Sequence, residues 1–119
     1  MQAQTKVTQR TAASASGNRV NVLAFSGDIS STSKEAILGA YHGLDGGSSR
    51  VLLDFTGVDY INSSGIAIII QMLLEASKTG ARTIAIFGLS PHFRKVFTMV
   101  GINKYAALHV NEAAALASL

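Results

Sequence analysis

The feature that most constrains this chain is a pair of short, almost wholly apolar runs, RVLLDF (Arg50–Phe55) and RTIAIFG (Arg82–Gly88), set one helix-length apart. Each is too short for a core helix and too apolar for a strand with one wet face. Strands buried on both faces of a parallel sheet read this way. Parallel neighbours need a crossover, and GIAIIIQMLLEASKTG between the two runs supplies one with helical spacing. A third run, VNVLAFSG (Val20–Gly27), carries β-branched and aromatic residues and stops at glycine, as a strand does. Apolar residues make up 48% of the chain and charged residues 14%, which excludes a disordered polyelectrolyte. A length of 119 residues suits one domain, 1–119, around one core.

The remaining segments fill in an alternating order. DISSTSKEAILGAYHGL opens with capping residues and then places Ala36, Ile37, Ala40, Tyr41 and Leu44 on one helical face. In the long helix, Ile66, Ile69, Ile70, Leu73, Leu74 and Ser77 share a stripe, and Gly80 stands where a left-handed cap is wanted. Ser90 and Pro91 predict the start of a third helix with Phe93, Val96, Phe97 and Val100 inward and Gly101 as its stop. YAALHV reads as a weak last strand, and NEAAALASL as a closing helix capped by Asn111. The polar segment 1–18 is compatible with an earlier edge strand, TKVTQRTA, joined by a turn at Ser14–Asn18. DGGSS (Asp45–Ser49) is a loop, and without a Walker lysine it is no phosphate-binding P-loop. The expected fold is α/β, a mixed and largely parallel sheet of four to five strands flanked by about four helices.

VDYINSSGIAIII (Val58–Ile70) interrupts this apolar pattern with Asn62-Ser63-Ser64-Gly65. The plain reading is a helix cap, with Asn62 or Ser63 accepting from the first free backbone N–H groups. The sharper reading is a hydroxyl held at a helix start, where a phosphate is tolerated. Gly65 would leave room for a partner or an enzyme. A nucleophile elbow needs glycine two residues either side of the serine; around Ser64 those places hold Asn62 and Ile66. No pair of titratable residues is spaced for acid–base work, so an enzyme is not expected. Asp54 and Asp59 read as turn and strand-end residues, and His92 as an exposed first-turn residue.

Composition narrows the partners. The net charge of +3 comes from scattered basic residues without interleaved aromatics, which argues against nucleic acid. Absence of cysteine excludes disulfides and thiolate metal sites, and His42, His92 and His109 have no ligand spacing; no cofactor or metal is expected. The first eighteen residues lack the apolar block of a signal peptide, and the longest pure apolar run, Ile66–Ile70, is far below the roughly 20 residues that span a bilayer. The expected location is the cytoplasm, away from membranes, as a monomer or small oligomer.

The ordered set D-x-x-x-V-x-x-I-N-S-S-G-I (Asp54–Ile66), preceded by SGDI (Ser26–Ile29) and followed by GLSPHFRKVFTMVGI (Gly88–Ile102), closely resembles the STAS domain of bacterial anti-sigma-factor antagonists. The resemblance covers about Val20–Ala117. It implies a non-enzymatic module that binds an anti-sigma factor, itself a serine kinase, and thereby releases a sigma factor. It further implies that the kinase phosphorylates the second serine of the triplet, here Ser64, and that a serine phosphatase resets the switch. Asn62, Ser63 and Gly65 would then belong to the partner surface. Two positions depart from the family pattern: Asn62 stands where aspartate is usual, and Ser30 where many relatives carry an acidic residue. Asn62 keeps the capping role but drops a charge; Ser30 removes an acidic contact. Asp28 reads first as the N-terminal region of the first helix, with a partner contact as the alternative. A different class of function for the same resemblance is a structural subunit of a stress-signalling scaffold or a transporter-associated complex.

One feature goes beyond that template. Ile68 and Met72 lie one turn apart on the face of the long helix that also carries Ala67, Gln71, Glu75 and Lys78. Either a neighbouring helix covers them, or they form an exposed apolar pair beside Ser64 that would anchor a partner.

Overall fold

The computed structural model describes residues 4–80 and 82–119; residues 1–3 of the polar leading segment lie outside the described part. Five strands form one sheet in the order β1-β2-β3-β4-β5: β1 (Lys6–Ala13), β2 (Arg19–Ile29), β3 (Arg50–Ile61), β4 (Thr83–Phe87) and β5 (Ala107–His109). β1 is antiparallel to β2, and every later pairing is parallel. The helices are α1 (Lys34–His42), α2 (Ser63–Thr79), α3 (Pro91–Met99) and α4 (Glu112–Ser118), with short 3-10 turns at Ser31–Ser33 and Ile102–Lys104. The expected α/β architecture is therefore present. TKVTQRTA does form an edge strand, and its polar, charged residues keep that open edge from pairing indiscriminately.

Strand alternation divides the core into two. Leu23 and Phe25 of β2, Val51, Leu53 and Phe55 of β3, and Ile84 and Ile86 of β4 join the cluster that contains residues of α1, α2 and α3. Phe55 ties it together, with ring centroids 5.0 Å from Phe25 and 5.6 Å, edge to face, from Phe97. Val20, Val22, Leu52, Ala85 and Phe87 point the other way and are covered by Ala115, Leu116 and Leu119. Both faces of the central strands are thus dry, which is why their sequences run apolar without alternation.

β3 is longer than its apolar run suggests. Its pairing with β2 slips twice, between Ala24 and Ser26 and between Gly27 and Asp28. Each slip inserts an extra β3 residue, and the bulges reset which side chains face the core. Ile61 is buried again while Thr56, Asp59 and Tyr60 are exposed. The strand continues to Ile61, but its period-2 signal does not.

Two helical stripes differ from expectation. The buried side of α2 consists of Gly65, Ile68, Ile69, Met72, Leu73 and Ala76, while Leu74 and Ser77 are exposed. The stripe is turned by about 100°, the step of one residue. Ile68 is only 7% exposed and Met72 is fully buried, in one cluster with Ile37, Leu38 and Tyr41 of α1. Helix α2 is covered on two sides, by the sheet and by α1, and His42 of α1 reaches Glu75 of α2 at 2.7 Å across that contact. The exposed apolar anchor at Ile68 and Met72 does not exist; the neighbouring helix covers it. In α3, Phe97 is buried, but Val100 is exposed because it follows the last helical residue, where the chain leaves through Gly101 at φ +86°. Gly80 closes α2 in the left-handed conformation, and Asn111 caps α4 through Ala114 N–H, as expected.

Candidate functional site

The carboxyl ends of parallel strands collect the loops that enter the following helices, and sites form there. In this chain β3 ends at Ile61 and α2 begins two residues later. Asn62 sits between them with extended backbone (φ −91°, ψ 178°), and its side-chain oxygen accepts from Gly65 N–H at 2.9 Å. Its own N–H donates to the carbonyl of Ile29 at 3.1 Å. One residue therefore caps α2 and ties the helix start to the end of β2. An amide does this as well as a carboxylate, so the Asn62 departure costs the cap nothing.

With Asn62 as cap, both hydroxyls are spare. Ser63 and Ser64 are exposed at the first two positions of the 17-residue α2, and neither hydroxyl makes a hydrogen bond among the described residues. The first turn of α2 carries no acidic side chain. Its partial positive charge and free N–H groups are thus uncompensated, which suits an added anion.

Gly65 has a different task from the one its sequence position suggests. It is buried, and the room beside it is already taken by the main chain of β2. A Cβ on Gly65 would lie 2.5 Å from the Ile29 carbonyl oxygen and 2.8 Å from Ile29 Cγ2. No incoming partner can use that space. Glycine here lets α2 seat against the end of β2 and fixes the height at which Ser64 stands. Gly65→Ala is therefore expected to lower stability by about 1–3 kcal/mol, although glycine to alanine within a helix ordinarily gains about 0.5–1 kcal/mol. Urea unfolding reads the sign directly, and a gain in stability would mean that the close approach is absent.

Asp28 and Ser30 are brought to this corner. Asp28 lies in β2 opposite Tyr60 of β3, not in the first helix, and its carbonyl accepts from Thr5 Oγ1 at 2.6 Å. Ser30 caps the short 3-10 turn; its N–H donates to Ser33 Oγ at 2.9 Å and its hydroxyl pairs with Thr32 Oγ1 at 3.0 Å. Both are partly exposed. Through the Asn62–Ile29 bond, the β2 end and the α2 start form one continuous ledge.

Sequence reasoning missed an aromatic flank to this ledge. Tyr60, two residues before Asn62, is 52% exposed, and its ring stands 6.0 Å from Phe93 of α3 in an edge-to-face contact. His92 lies against the same Phe93 at 4.9 Å. The signal was available: if Ile61 is buried, its strand neighbour Tyr60 must point outward. Asp54 keeps its turn role, accepting from Thr56 N–H at 2.8 Å. Among the described residues no group of three or more histidine, cysteine, aspartate or glutamate side chains could hold a metal ion, and no helix is long and apolar enough to cross a membrane.

Fold and site together define a small α/β domain that presents a free serine hydroxyl at a helix start on the carboxyl edge of its sheet. The chain belongs to the STAS domain family: the family described as "Mlab, STAS domain" matches residues 12–111. No curated protein sequence matches. Among solved structures, an anti-sigma factor antagonist from Mycobacterium paratuberculosis superposes with a TM-score of 0.72 at 19% identity, covering 93% of this chain and 92% of that one. The Bacillus cell fate determinant SpoIIAA in its phosphorylated form gives 0.59 at 18% identity, over 91% and 95%. A sulfate transporter family protein from Wolinella succinogenes gives 0.66 at 13% identity, over 81% of each chain. At such identities these likenesses establish the fold, which antagonists and transporter proteins share.

Proposed function

We propose that this chain is an anti-sigma-factor antagonist, a binding module without chemistry of its own. With Ser64 unmodified it docks on an anti-sigma factor that is also a serine kinase, and the sigma factor is released. Phosphorylation of Ser64 ends the contact, and a serine phosphatase restores it. The kinase and its ATP make the cytoplasm the place of action.

The observation that carries the reading is the spare hydroxyl of Ser64: exposed, unbonded, and at the start of a helix capped independently by Asn62. A phosphoserine adds about −1.5 to −2 charges near neutral pH. At this helix end the charge is compatible with the fold, so its effect falls on whatever covers the ledge. The docking surface is the ledge itself, Asp28, Ser30, Asn62 and Ser63 around Ser64, flanked by Tyr60. Incubation with the cognate kinase and ATP is expected to place one phosphate on Ser64, read by peptide mass spectrometry. Modification of Ser63 with Ser64 untouched would overturn the assignment.

The likeness to a transporter-family domain favours a second reading, a STAS subunit built into a larger scaffold or transporter complex. Size separates the two. A switch antagonist and its partner sediment as a small complex, whereas a scaffold subunit is recovered in large assemblies.

A further inference from the structure

The opposite end of the sheet carries a second feature, one that does not depend on the reading of Ser64. Arg19 opens β2 and Arg50 opens β3, and between them and the loop Asp45–Ser49 lies a cleft of about 250 Å³. We propose that this cleft is a binding site for a phosphate-type oxyanion.

Three of the loop's main-chain acceptors are already engaged elsewhere. The carbonyls of Asp45 and Ser48 are taken by the Arg82 guanidinium at 3.2 and 3.0 Å, and that of Ser49 by Thr83 N–H at 2.8 Å. The one carboxylate in the lining, Asp45, is folded onto Gly47 N–H at 3.0 Å. The lining thus combines two arginine side chains with a carboxylate that keeps one oxygen unbonded. The Arg19 side chain makes no hydrogen bond or ion pair among the described residues. Arg50 spends Nε on the main-chain oxygen of Leu119 at 2.8 Å and one terminal nitrogen weakly on Ser49 Oγ at 3.4 Å, which leaves N–H groups over.

The floor is a buried polar pair. Asn21 is on the side of β2 that carries Leu23 and Phe25 into the core, yet it is polar, and its amide donates to Ser48 Oγ at 2.7 Å. Having accepted there, the Ser48 hydroxyl keeps its own proton to give, and it lines the cleft. Asn21 thereby orients that hydroxyl. Two guanidinium groups against one carboxylate leave the lining with a net positive balance that favours an anion, and arginine matches tetrahedral oxyanions with paired N–H groups. The volume is below the usual range for drug-sized ligands, so the occupant is a single compact group, inorganic phosphate or the head of a phosphomonoester.

Titration of the ¹⁵N-labelled protein with inorganic phosphate, at ionic strength held constant with chloride, tests this. Saturable shifts are expected at the amides of Gly46 to Arg50 and at Arg19. Arg19→Gln, at an exposed side chain without partners, is expected to raise the dissociation constant about fivefold or more and leave the melting temperature unchanged. Arg94→Gln, which removes the same charge from exposed α3, is the control and is expected to change little. Shifts that fail to saturate, that scatter over all basic side chains, or that weaken equally in both variants would overturn the site. Repeating the titration with glycerol phosphate separates a free-phosphate site, which excludes the ester, from one that reads only the phosphoryl head, which accepts it.

Discussion

Met72→Ala is expected to lower the free energy of unfolding by about 2–5 kcal/mol. Met72 is fully buried in the cluster where α1, α2 and the sheet meet. Truncation removes three heavy atoms from a space bounded by two helices, which can collapse only by moving α1. For a domain of this size the loss corresponds to a fall in melting temperature on the order of 10 °C. Ile68→Ala is expected to behave likewise at the smaller end, since Ile68 is 7% exposed. Leu74→Ala, on the opposite side of the helix and 40% exposed, is the contrast and should stay within about 0.5 kcal/mol of the parent. Paired thermal and urea unfolding of the three variants decides the matter. A near-native Met72→Ala would show that α1 does not cover α2.

Ser64→Asp is expected to weaken binding to the anti-sigma partner by at least about thirtyfold, the effect of roughly 2 kcal/mol at a desolvated contact. Folding should hardly change. A carboxylate in the first turn of α2 meets the positive end of the helix, a contribution of about 0.3–1 kcal/mol in favour of the folded state. Ser64→Ala should bind as the parent does and be refractory to the kinase. Calorimetric titration against the partner, with melting curves on the same samples, separates a switch from a structural cap. If Ser64→Asp unfolds the domain, the hydroxyl is a cap and the proposed function loses its site. The geometry argues for the switch, because the cap is already supplied by Asn62 at 2.9 Å from Gly65 N–H.

Much of this arrangement is legible in the residues. Caps are local chemistry, so Ser90 before Pro91 and Asn111 before α4 stand where a side-chain oxygen three residues from a free N–H predicts them. Strands buried on both faces announce themselves as apolar runs. The serine pair announces itself as polar residues at a strand-to-helix junction. Less legible is anything that depends on which of two apolar directions a residue takes. Ile66 to Ile70 is apolar throughout, so the helical wheel of α2 permits stripes a residue apart. Only the position of α1 selects one.

The α/β alternation, the parallel core strands, the caps and the serine at the head of α2 can be read from the residues alone, because each follows from short-range periodicity or a hydrogen bond between near neighbours. That Ile68 and Met72 are core, that Ile29 fills the space beside Gly65, that Tyr60 and Phe93 flank the ledge, and that Arg19 and Arg50 share a cleft emerges only in the folded chain. Those facts are contacts between segments far apart in the chain. They are fixed by how helices seat on a bulged sheet, a geometry that no local pattern encodes.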